Sequence, residues 1–190
     1  MNGNLAYKED WREELIGGKI VMMAPASVNH NFASENIYYL FRQCLKGKSC
    51  TPFGDGTIVY LTEKDHFVPD MMVVCDRNKI KHDGVHGAPD LVVEVLSSST
   101  MRNDRTYKKD VYERSGVREY WIVNPADKSV EVYRSNGTNF VLHDIYSLHP
   151  DWALAKMSEE ERAAVETHFK CILFDDFDIS LDDIFSGLLP

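Results

Sequence analysis

The chain has 190 residues, enough for one domain with a sizeable core, and its 44% hydrophobic, 27% charged and 11% aromatic content is that of a globular protein. No apolar run approaches the ~18–20 residues needed to span a bilayer, and the opening MNGNLAYKEDWREEL is too acidic and polar for a secretory leader, so a cytoplasmic location is expected. The net charge of −9 disfavours a polyanionic partner, but residues 151–190 carry most of it (ten acids, three bases), while residues 97–118 hold six bases against three acids.

In chain order, WREELIGGKIVMMAP predicts two short strands around a Gly17–Gly18 turn. Residues 27–48 follow a helical apolar period. GTIVYLT (56–62) predicts a strand, and HFVPDMMVVCD (66–76) another, with Pro69 marking an edge or a strand start. After a loop comes LVVEVL (91–96), an aliphatic run that reads as a strand buried on both faces. Ser98, Ser99 or Thr100 can cap a helix that runs to about Ser115 and stops at Gly116. EYWIV, SVEVYR and NFVLHDIY predict three more strands. MSEEERAAVETHF predicts an acidic helix, and FDISLDDIF closes an α/β chain of one domain, residues 1–190, with an acidic C-terminal segment from about 151. Cys44, Cys50, Cys75 and Cys171 form no CxxC pair and read as reduced thiols, with neither a zinc site nor a disulfide framework expected.

Glu94 interrupts the aliphatic run, and a buried carboxylate costs several kcal/mol unless it is paired, hydrogen-bonded or metal-bound. Asp90 shares its strand face, but at roughly 13 Å it cannot share one ion with Glu94. If residues 67–75 and 89–97 pair antiparallel with matched ends, Asp70 falls opposite Glu94. Facing carboxylates repel unless a cation sits between them. Two carboxylates, a backbone carbonyl (Val95 or Leu96) and waters suit Mg²⁺ or Mn²⁺. On the following helix Asp104, Lys108 and Tyr112 recur at four-residue spacing, and Lys108 can act on a metal-bound water or a phosphate. Spacing also allows a structural Glu94 paired with a lysine or arginine, and a Lys108 paired with Asp104 at the surface.

The run VPDMMVV…HGAPDLVVEVLSSST…DRTYKKDVYERSGVREYWIVNP…VEVYR resembles the bacterial "putative restriction endonuclease" family, abundant in cyanobacteria, of the PD-(D/E)XK nuclease superfamily. The resemblance covers roughly residues 10–145 and the closing ISLDDIF. It implies a restriction-endonuclease-like fold, a central mixed β-sheet flanked by helices. It also implies a Mg²⁺-dependent nuclease acting on nucleic acid, DNA above all, with Asp70 and Glu94 as metal ligands. The superfamily lysine two residues after the acid is replaced by Leu96, so the resemblance points to Lys108 as a migrated catalytic lysine. Glu35 and His30 on the first helix, Asp90 and Tyr112 are further candidates, and His86 is a weaker one. A non-catalytic binding module on the same fold and a hydrolase of small phosphodiesters are the rival readings. A homodimer suits an enzyme that cuts both strands of a duplex.

Overall fold

A computed structural model describes residues 12–189; most of the N-terminal stretch read above as lacking a leader lies outside the described residues. Thirteen strands among these residues form three sheets. The largest has six strands in the order β11-β10-β9-β8-β6-β3: Phe140–Ser147, Ser129–Ser135, Glu119–Asn124, Leu91–Val95, Met71–Val74 and Thr51–Gly54. It is mixed, because β8 and β9 run parallel while its other neighbours are antiparallel. The second sheet has the order β2-β1-β5-β4-β7: Lys19–Met22, Glu13–Ile16, Asp65–Phe67, Val59–Thr62 and Val85–His86. Strands β12 (His168–Lys170) and β13 (Asp178–Ser180) form a small pair.

The aliphatic β8 is buried throughout because both of its faces are covered. Leu91, Val93 and Val95 point to the side where helix α1 (Val28–Cys44) lays down Ala33, Ile37 and Phe41. Val92 and Leu96 point to the opposite side, against Val111, Tyr112 and Tyr120. Strand alternation puts Glu94 on this second side. The helix there, α2, spans residues 101–115 in three parts: Met101–Asn103, a π turn over Asp104–Lys108, and Lys109–Ser115. Gly116 ends it in the left-handed conformation, φ 94°, which glycine adopts without steric cost.

Three expectations need correction and one needs refining. HFVPDMMVVCD is two strands in two sheets, β5 and β6. Pro69 has no N–H to give a ladder, and the Val68 N–H is spent on the Glu14 carboxylate, so the chain crosses between sheets here. Thr100 is the N-cap of α2, as expected, but its side chain makes no cap bond; Ser97 Oγ instead accepts from the Thr100 N–H at 3.2 Å. MSEEERAAVETHF is helical only over Glu159–Ala163, because Phe169 is drawn into β12 and packs between Trp121 and Tyr146. Cys50 and Cys75 form a disulfide. The β3–β6 register, with Thr51 opposite Val74, brings the two cysteines level at the next position, although 25 residues separate them in sequence.

Candidate active site

The β6–β8 ladder pairs Met71 with Val93, Met72 with Val92 and Val73 with Leu91. The same register extended by one position sets Asp70 opposite Glu94, and both line one cavity of about 550 Å³. Each Asp70 oxygen has a donor. Oδ2 accepts from the Val95 N–H at 2.6 Å, and Oδ1 lies 2.8 Å from His30 Nε2 near the start of α1. Burial lowers the His30 pKa, but the hydrogen bond and charge of Asp70 outweigh it and leave the imidazole raised above 6.5.

Glu94 is 3% exposed. Its Oε1 accepts from the Tyr112 hydroxyl at 2.9 Å and pairs with Lys108 Nζ at 2.8 Å. Lys108 is equally buried and also reaches Glu14 Oε1 at 3.0 Å and Asp104 Oδ1 at 3.4 Å. The surface pairing of Lys108 with Asp104 is therefore replaced by a buried cluster. Burial alone would neutralise this lysine, but Glu94, Glu14 and Asp104 hold its pKa well above the ordinary value. Burial raises the pKa of Glu94 strongly and that of Asp104 as well, with Lys108 opposing in both cases. Burial and the Glu94 charge push the Tyr112 phenol up, so it remains a donor.

Asp104 and Lys108, the two ends of the π turn, both line the cavity. A π turn inserts one residue into an α-helix and changes which side chains share a face. Two tyrosines brace it: Tyr120 donates its hydroxyl to the Asp104 carbonyl at 2.9 Å, and Tyr107 donates to Asp65 Oδ1 at 2.9 Å. Asp65 in turn accepts from the Gly17 N–H and from Thr62 Oγ1, tying the turn to the five-stranded sheet. Gly17 has φ 59°, and a Cβ there would stand 3.1 Å from the Tyr107 hydroxyl, so the contact requires glycine.

The other candidates lie elsewhere. Glu35 is exposed on α1 and does not line the cavity. Asp90 holds the start of β8, accepting from the Cys75 N–H at 2.8 Å with Arg118 at 3.8 Å. His86 pairs with Asp83 at 3.1 Å away from the cavity. Leu96 is packed in the core, and its N–H donates to the Val123 carbonyl. Glu14 is the residue that sequence spacing missed. Its only signal is strand alternation, which puts it on the same face as Ile16, a residue packed against the core.

Four buried carboxylates (Glu14, Asp70, Glu94, Asp104) line one cavity with the Lys108 ammonium and the His30 imidazole, a set of hard oxygen donors of the kind that suits a divalent Mg²⁺ or Mn²⁺ ion. Among the described residues no three His, Cys, Asp or Glu side chains converge in metal-binding geometry. The oxygens of Asp70 and Oε1 of Glu94 are turned toward His30, the Val95 N–H, Tyr112 and Lys108.

The profile of the Uma2 family, described as "Putative restriction endonuclease", matches residues 4–166. An uncharacterised Synechocystis protein, slr1290, is 32% identical over 136 residues, spanning 70% of this chain and 72% of that protein. A second Synechocystis protein, sll1609, also uncharacterised, is 28% identical over 130 residues, spanning 66% and 73%. The crystal structure of a "putative nuclease belonging to DUF820" from Anabaena variabilis matches with TM-score 0.63 at 18% identity, covering 92% of this chain and 89% of that one. That likeness speaks for a shared mixed α/β nuclease fold. With a matching profile over most of its length, the chain belongs to the Uma2 family of restriction-endonuclease-like proteins.

Proposed function

We propose that this protein is a divalent-metal-dependent nuclease of the PD-(D/E)XK type that hydrolyses phosphodiester bonds in nucleic acid, DNA above all. The observation that carries the reading is Lys108, buried against Glu94 in a cavity that Asp70 also lines. Asp70, Glu94 and the Val95 or Leu96 carbonyl would hold Mg²⁺ or Mn²⁺, and the ion would supply Lewis-acid stabilisation of the phosphate and of an attacking water. The Val95 N–H fixes Asp70, and Tyr112 orients Glu94. Lys108 sits where its charge can meet a phosphate oxygen, the part that the superfamily gives to the lysine Leu96 has replaced. Its raised pKa makes it a cation rather than a base.

The test is cleavage of supercoiled plasmid by metal-stripped protein with and without Mg²⁺ or Mn²⁺. Activity that requires the ion and vanishes in Glu94→Gln supports the reading; ion-independent activity, or none on single- or double-stranded DNA or RNA, overturns it. The cavity size favours one second reading, a hydrolase of small phosphodiesters, because about 550 Å³ is the volume of a small-molecule pocket. Salt separates the two, since binding to a duplex weakens steeply as counterions compete.

A further inference from the structure

Lys108 is placed where a cation is needed. Its Nζ is 2.8 Å from Glu94, 3.0 Å from Glu14 and 3.4 Å from Asp104. Asp104 is 1% exposed, and the contact of its Oδ1 with the ammonium is the longest of the three, outside hydrogen-bond geometry. An ammonium has three donors, so the third can be completed by a small movement toward Asp104. Glu14 stays fixed during such a movement, because its Oε1 also accepts from the Val68 N–H at 2.9 Å.

We propose that the Lys108 ammonium is the site's built-in counter-cation, which a divalent ion must displace from Glu94, and that Glu14 and Asp104 are the positioning residues that keep the displaced ammonium in the cavity. This rests on the metal-dependent reading above and adds how the site is charged and loaded. Without the ion, Lys108 offsets the repulsion among Glu14, Glu94 and Asp104, while His30 and the Val95 N–H hold Asp70. With the ion on Glu94, the Lys108–Asp104 contact, 3.4 Å in this structure, would shorten into the ammonium's third bond, and a second positive charge would remain beside the first. The long contact to Asp104 is then an acceptor held in reserve for the loaded state.

The experiment titrates Mn²⁺ into the metal-stripped full chain, reading free Mn²⁺ by electron paramagnetic resonance. Lys108→Met should bind Mn²⁺ at least about tenfold tighter than wild type, a gain of about 1.4 kcal/mol. Lys109→Met should change binding little, because Lys109 lies over the Tyr133 ring, 4.5 Å from its centroid. Unchanged or weaker binding by Lys108→Met, or an equal gain in Lys109→Met, overturns the proposal. Asp104→Asn should weaken binding in the wild-type background and much less in the Lys108→Met background, where there is no ammonium to house. Equal losses in both would make Asp104 a direct ligand and overturn its positioning role.

A readout that needs no variant to fold follows the ammonium by NMR with ¹⁵N-labelled lysine. One slowly exchanging Nζ signal should shift when Mg²⁺ is added. Mg²⁺ binding that raises Tm while leaving that signal unmoved refutes displacement, and so does the absence of Mg²⁺ or Mn²⁺ binding in any form of the protein. Because none of these readouts is cleavage, tighter Mn²⁺ binding by Lys108→Met with no cleavage of any nucleic acid by wild type would sink the nuclease reading alone.

Discussion

Glu94 on β8 and Glu119 on the neighbouring β9 are both buried carboxylates whose pKa burial raises, and they live in opposite circumstances. Glu119 is hydrogen-bonded by two neutral donors, Trp121 Nε1 at 2.9 Å and the Ile172 N–H at 2.6 Å, and the Arg134 guanidinium stands farther off at 3.9 Å. It fastens the segment after β12 to the sheet and lines neither of the two large cavities. Glu94 is held by a phenol and an ammonium and faces open space. A buried acid is therefore no mark of a site by itself. What separates the two is whether the compensating groups are structural donors or a charge that another cation can replace.

The comparison breaks first on activity. Glu94→Gln should abolish metal-dependent cleavage, a loss of orders of magnitude in plasmid turnover, while Glu119→Gln should leave it within a few-fold of wild type. Comparable losses would erase the distinction. Stability should invert the ranking. Glu119→Ala strands the buried Trp121 N–H and frees the part-buried Ile172 N–H, so urea denaturation should show about 1–3 kcal/mol of destabilisation. Glu94→Gln should cost less, because Lys108 keeps Glu14 and Asp104. Tyr112→Phe sharpens the contrast further. It removes the hydroxyl that orients Glu94 but keeps the buried ring, so cleavage should fall about tenfold with a stability change of about 1 kcal/mol.

The smallest effect is in pH. Burial raises Glu119 above the ordinary 4.5 despite Trp121, Ile172 and Arg134, with Cys171 also in contact. A raised folded-state pKa contributes stability that is complete below the unfolded value and is lost as pH rises through the folded value. The stability advantage of wild type over Glu119→Gln should therefore shrink as pH rises above about 4.5, measured by urea denaturation at a series of pH values. An advantage that grows with pH would mean the donors, not burial, control this carboxylate.

The part of this arrangement that rests on lengths and periods was readable from the chain. Matched run lengths put Asp70 level with Glu94, and Gly116 marked the end of α2. Glu14 was not readable, because strand β1 meets Lys108 across a 94-residue gap that no local pattern encodes. The same holds for Cys50 and Cys75, whose meeting depends on β3, a strand that TPFG, with a proline and a glycine in four residues, hardly announces. Asp104 was visible by spacing, but its depth was not, since α-helical periodicity takes no account of a π turn.

That turn gives α2 one residue more than an α-helix of its length would hold. The half that follows it is anchored by the buried Val111 and Tyr112, so removing Arg105 or Thr106 would let an unbroken α-helix form on the same anchor with both flanks in register. Asp104 would then stand three residues before Lys108, still on its face of the helix. The expected product is a folded protein of 189 residues with an intact helix, and its response to metal measures what the extra residue adds to the cavity, a distinction that point substitutions cannot draw.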